Sequence, residues 1–92
     1  MRFEWDENKN RANQKKHGIA FEYAVLVFDD ENYIEDYDSA HSNDEDRYIV
    51  TGMVDDSICV VCTYRDEDTV RIISAREATK GERRRYEWQW LQ

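Results

Sequence analysis

The amino-acid sequence predicts one α+β domain over residues 1–92, built on a central antiparallel β-sheet of four to five strands with two helices before it and one after. Three observations predict it. The length of 92 residues fits a single core. Three segments rich in Val, Ile, Tyr and Thr follow one another across short Asp-containing turns, which favour antiparallel hairpins over crossovers. Helix caps and helical periodicity occur only towards the two ends of the chain.

The elements follow in order. Phe3 and Trp5 alternate with Arg2 and Glu4, a short first strand. Asp6 is placed as an N-cap and Gly18 as a C-cap glycine, so Glu7 to His17 reads as a polar helix. It has acid in its first turn and Lys15, Lys16 and His17 in its last, which complements the helix dipole. Phe21, Ala24, Val25 and Phe28 fall at i, i+3, i+4 and i+7, the buried face of a second short helix ended by Asp29 to Asn32. Tyr33 to Asp38 alternates weakly, as an edge strand does, and His41 to Asp46 is a polar loop. Arg47 to Val54, Ile58 to Arg65 and Thr69 to Arg76 are the three main strands, turned at Asp55-Asp56-Ser57 and Asp66-Glu67-Asp68. The apolar character of both faces of the last two predicts helices over much of the sheet on each side. Thr79-Lys80-Gly81-Glu82 has the spacing of a capping box and launches a helix on which Tyr86 and Trp90 share a face.

Composition narrows the function. Hydrophobic residues make up 40 % of the chain and charged residues 37 %, and three Trp, six Tyr and three Phe supply core material, so the chain folds rather than staying disordered. No apolar run is long enough to span a membrane, and Met1 to Asp6 lack the apolar stretch of a signal peptide; the expectation is a cytoplasmic domain. The formal charge of −8 argues against a polyanionic partner, but nine anions and no cation fall in residues 29–46, whereas residues 69–92 carry six cations against three anions. The acidity belongs to the middle of the chain. With only three glycines there is no Gly-rich phosphate loop, and the acidic run lacks the EF-hand pattern.

Among residues suited to chemistry, Cys59 and Cys62 are three apart on a strand and should point to opposite faces, which excludes a shared metal or an easy bridge. His17 and His41 are the only histidines. His17 closes the first helix beside Lys15 and Lys16, where it can serve as a general acid or base or simply complement the helix terminus. Arg71 lies among Val70, Ile72 and Ile73 and demands a partner or a ligand; Arg76, five residues on, faces the opposite side unless the strand bends. Arg47 opens its strand with the same ambiguity, and Tyr64 offers a phenol.

Stretches along the whole chain resemble the BrnT family of small ribonuclease toxins of type II toxin–antitoxin systems. They are Phe3 to Lys9, Asn13 to Phe21, Phe28-Asp29-Asp30, Asp46-Arg47-Tyr48, Val60 to Arg65, Arg71 to Thr79, Glu82-Arg83 and Tyr86-Glu87. The resemblance implies a RelE-like fold, RNA cleavage without a metal or other cofactor, and neutralisation by a BrnA-like ribbon-helix-helix antitoxin through which the pair acts on DNA. Under it, His17, Arg71, Arg76 and Tyr64 are the expected catalytic residues, and Lys15, Lys16, Arg47 and Arg83 the expected RNA contacts. The acidic sequence departs from what an RNA-gripping toxin is expected to show. The rival reading is a non-catalytic interaction module that complexes an antitoxin-like, DNA-binding partner, and the terminal Trp88-Gln89-Trp90-Leu91 would suit an interface.

Overall fold

Residues 1–91 are described by the computed structural model, in which β1 (Arg2–Glu4), α1 (Glu7–His17), α2 (Phe21–Ala24), β2 (Ile34–Tyr37), β3 (Asp46–Val54), β4 (Ser57–Asp66), β5 (Thr69–Glu77) and α3 (Lys80–Glu87) follow one another. The five strands form one sheet in the order β1-β5-β4-β3-β2. Three of its pairings are antiparallel, as expected for strands joined by short turns. The fourth corrects the expectation: β1 runs parallel to β5, with Arg2 opposite Thr69 and Glu4 opposite Arg71. Hairpin logic fails there because the partners are not joined by a turn; every element from α1 to β4 lies between them in the chain.

Helix α1 begins and ends where its caps stand. Asp6 accepts hydrogen bonds from the Asn8 and Lys9 amides at 2.8 and 3.3 Å, and Gly18 takes a left-handed φ of 73°. Its anchorage is polar. Asn10 and Asn13 are its buried residues. The Asn13 amide donates to the Ala75 carbonyl at 2.8 Å and accepts from the Ala75 N–H at 3.1 Å, as a neighbouring strand's peptide would, and it donates to the Ile19 carbonyl at 2.8 Å. Where the short β1 ends, a side chain of α1 therefore continues the edge of the sheet. At the opposite edge the Asp30 carboxylate does the same for the Met53 N–H, at 2.7 Å.

The second helix tightens. After α2 the chain continues as a 3-10 helix over Val25–Asp29, so Phe21, Ala24 and Val27 are the fully buried residues, three apart. The expected face at Val25 and Phe28 is only half-buried. Phe21, Ala24 and Val27 pack on Val50, Val54, Cys59, Val61, Val70, Ile72 and Ala75, which is the main core. Gly52 is required there: a Cβ would meet Val27 Cγ1 at 3.0 Å and the Tyr33 Cβ at 3.1 Å.

The other face of the sheet is covered by α3 alone. Its capping box is complete, with Glu82 N–H to the Thr79 hydroxyl at 3.2 Å and Thr79 N–H to the Glu82 carboxylate at 2.8 Å. Tyr86 is buried, as are Thr51, Ile58 and Val60 of the strands. The expectation of helices over much of both faces is thus half right. Eight residues of helix reach about 12 Å, while the ten residues of β4 extend about 33 Å. One helix of that length leaves half of the face bare. No helix among the described residues is long and apolar enough to cross a membrane.

Candidate active site

The bare half-face is floored by alternate residues of β3, β4 and β5. Arg47 stands opposite Tyr64 and Tyr64 opposite Arg71, so these three form one row across the sheet. The neighbouring row is Ile49, Cys62 and Ser74, all half-buried. Cys59 points into the core on the other side, so the two cysteines do face opposite ways and both are free thiols. Burial, with Glu77 adding its charge, pushes the Cys59 thiol above its ordinary value.

A bulge decides where the arginines point. Cys62 pairs with Ser74 but Thr63 pairs with Ile72, which leaves Ile73 as an extra residue in β5. Arg76, opposite Val60, is therefore on the same face as Arg71, opposite Tyr64, although an uninterrupted strand would set them on opposite faces. Ile73 and Ser74 also lie between two hollows. One, of roughly 220 Å³, has Lys9, Lys16 and His17 of α1 along its wall; the other, of roughly 200 Å³, has Asp38, His41 and Arg47. The α1 terminus and the Arg47 end of the sheet thus flank a common floor.

The structure treats the expected site residues unequally. His17 is exposed at the end of α1 and lines a further hollow of roughly 430 Å³ with Tyr23, Ser57, Cys59 and Glu77. Lys16 lines the hollow of roughly 220 Å³ together with His17, whereas the exposed Lys15 lines neither hollow flanking the floor. Arg47 and Arg71 are each met by a carboxylate, Glu45 at 2.9 Å and Glu4 at 3.4 Å, with a little over a third of each arginine side chain exposed. Arg76 is held harder. Its guanidinium grips Glu82 through two bonds of 2.7 and 2.9 Å, tying the end of β5 to the first turn of α3. That fork, opposed by burial and assisted by Thr79, lowers the Glu82 carboxyl from 4.5 to about 2. Arg83 is exposed on α3, in no ion pair among the described residues. His41 bonds Asp38 at 2.9 Å.

Sequence reasoning missed Lys9 and Ser74. Lys9 stands seven residues before Lys16, the spacing that puts two residues on one helix face, and was legible on that ground. Ser74 had no signal until the bulge was known. Chemically, this half-face offers arginines, a phenol, lysines and an imidazole around a shallow open floor. Those are groups that bind a phosphate ester and move its protons. Among the described residues no three His, Cys, Asp or Glu side chains converge to hold a metal ion. A comparison with curated proteins finds no match. The family model described as the ribonuclease toxin BrnT of type II toxin–antitoxin systems matches residues 5–82, from Trp5 through the fork of Arg76 and Glu82. That span carries α1, the whole of the bare half-face except Glu4, and the start of α3, and the chain belongs to the BrnT family of ribonuclease toxins.

Proposed function

We propose that the chain cleaves RNA without a metal ion on the half-face that α3 leaves bare, and that this cleavage inhibits translation in the cytoplasm until a BrnA-like ribbon-helix-helix antitoxin binds. We read the fold as RelE-like on the same ground. The observation that carries the proposal is the row of Arg47, Tyr64 and Arg71 on the face that Arg76 also shares, beside the wall bearing Lys16 and His17. The reaction needs a base to take the proton of the 2′-hydroxyl, cations around the pentacoordinate phosphorane, and an acid to protonate the departing 5′-oxygen. The 2′-oxygen forms a bond to phosphorus as the bond to the 5′-oxygen breaks, leaving a 2′,3′-cyclic phosphate and a 5′-hydroxyl. His17 is the base or the acid. Arg71 meets the phosphate oxygens, and Tyr64, between Arg71 and Arg47, positions them. Arg76 enters the same cluster by exchanging Glu82 for phosphate. Lys15, Lys16, Arg47 and Arg83 are read as contacts to the flanking strand, and Lys9 joins them.

The test is RNA cleavage by purified protein in EDTA, comparing wild type with Arg71→Ala. Arg71 is the choice because its one partner, Glu4, is an exposed surface carboxylate and its loss should leave the fold intact. Cleavage ending in a cyclic phosphate, and reduced about 100-fold or more in Arg71→Ala, is the expected result. The rival reading, a non-catalytic module that complexes an antitoxin-like partner, draws on the net charge of −8 and on the carboxylate that each of Arg47, Arg71 and Arg76 already holds. Wild-type protein that cuts neither naked nor ribosome-bound RNA would replace the first reading by the second.

A further inference from the structure

The end of the molecule remote from that row carries an unpartnered apolar surface. Leu26 is 43 % exposed, Met53 38 %, Trp88 57 %, Trp90 55 % and Leu91 68 %. Leu26, Met53, Tyr86 and Trp90 line a hollow of roughly 460 Å³. Large apolar side chains grouped in this way mark a surface that another molecule covers. The rim is acidic: Asp29, Asp30 and Asp55 line the same hollow, and Glu31 and Asp56 are exposed next to them in sequence. Asp30 is turned inward, bonded by Tyr86 and by the Met53 and Asn32 amides. Asp29 and Asp55 are exposed to an incoming partner.

Three occupants can be weighed by charge. RNA is repelled by the carboxylates. A second copy related by a twofold axis would set this patch against itself, so the carboxylates would face one another. A basic protein segment with apolar residues along one side satisfies both the hollow and its rim. We propose that this surface is where the antitoxin docks, through a Lys- and Arg-bearing amphipathic segment whose apolar side chains enter between Leu26, Met53 and Trp90. The proposal deepens the toxin reading and rests on it for the partner. It also separates docking from chemistry. Met53 and Arg47 are six residues apart on one extended strand, about 20 Å, so the docked segment sits away from the proposed cleavage row.

The experiment measures binding of the cognate antitoxin, co-expressed, purified and labelled, to full-length wild type, Trp90→Lys and the pair Asp29→Asn/Asp55→Asn, with circular dichroism as the folding control. Trp90→Lys should weaken binding about 100-fold, as expected for an aromatic anchor at the middle of an interface. The double variant should weaken it less and flatten its dependence on salt. RNA cleavage by the uncomplexed variants should equal that of wild type. A folded Trp90→Lys that binds the antitoxin as tightly as wild type overturns the proposal. So does sedimentation of wild type alone as a dimer that Trp90→Lys converts to a monomer, because a second copy then covers the patch. If antitoxin binding collapses in Trp90→Lys while wild type cuts no RNA, the docking surface stands and the nuclease reading fails.

Discussion

Breaking the fork between Arg76 and Glu82 tests whether the strongest ion pair near the proposed site belongs to the fold or to the chemistry. Glu82 is lowered from 4.5 to about 2 chiefly by the two bonds from Arg76, so its folded-state pKa lies below its unfolded one. The sign follows. The pair contributes its full stability above about pH 4.5, and the contribution is lost as pH falls towards about 2. Taken at face value the shift is worth about 3 kcal/mol. The side chains are 38 % and 32 % exposed, and solvent screening reduces that to roughly 1–2 kcal/mol. Urea unfolding of wild type, Glu82→Gln, Arg76→Ala and the double variant at pH 7 and pH 3 measures it. Glu82→Gln should cost roughly 1–2 kcal/mol at pH 7, with a coupling energy of about 1 kcal/mol to Arg76, and the gap to wild type should narrow at pH 3. A gap equal at both pH values, or a coupling energy of zero, refutes the argument. The same variants separate roles. Glu82→Gln unfastens Arg76 without removing it, so cleavage that survives in Glu82→Gln and collapses in a folded Arg76→Ala assigns Arg76 to the phosphate.

Three more outcomes are expected. His17→Ala, altering an exposed residue at a helix end, should change stability by less than about 1 kcal/mol while slowing cleavage about 100-fold or more; a folded variant with wild-type cleavage removes His17 from the mechanism. Asn13→Ala deletes three buried hydrogen bonds and strands the Ala75 amide and carbonyl, and should lower the unfolding free energy by about 3 kcal/mol in urea titration; a loss under 1 kcal/mol would mean that water replaces the side chain. Glu67 holds a left-handed φ of 55° in the turn between β4 and β5, so Glu67→Gly should stabilise by about 0.5–1 kcal/mol, read as a raised Tm, and a lowered Tm contradicts that account of the turn.

What the sequence disclosed and what it hid divide by range. Asp6, Gly18 and the capping box at Thr79 act on residues within one turn, and the structure has them where the sequence put them. The hairpins turn at their Asp-containing links, and Cys59 and Cys62 part to opposite faces, because strand alternation is equally local. The parallel pairing of β1 with β5 joins Glu4 to Arg71, and the amide of Asn13 serves Ala75, across 67 and 62 residues. Neither follows from any local pattern. The polar α1 has no apolar stripe to show which side it buries; its anchors are two asparagines, residue types that hydropathy counts as solvent-facing. The tightening after Ala24 moved burial from Phe28 to Val27 for a reason set by packing on β3, where Gly52 leaves room for Val27.

The acidity of the chain and its membership of a ribonuclease family are reconciled by geometry rather than by a count of charges. The sequence alone sets Arg71 and Arg76 back to back. One extra residue, Ile73, turns them to the same face, so that Arg47 and Arg71 stand on the half of the sheet that α3 is too short to cover and Arg76 stands beside α3 on that same face, held by Glu82. Of the nine anions of residues 29–46, Asp46 opens β3 and Glu45 pairs with Arg47; the other seven lie in the loops and edge strand before β3, and only Asp38 among the nine lines the hollow beside the common floor. The carboxylates on Arg47 and Arg71 do not forbid a phosphate there. Exposed ion pairs of this kind are worth at most about 1 kcal/mol, and a phosphate dianion-like transition state replaces each carboxylate with an acceptor of greater charge. In the proposed reaction Glu4 and Glu45 therefore act as stand-ins that keep the arginines extended over the floor until RNA displaces them. Arg76, with the lowered Glu82 as its partner, is the one arginine for which that exchange is costly, and its contribution to cleavage should be the smallest of the three.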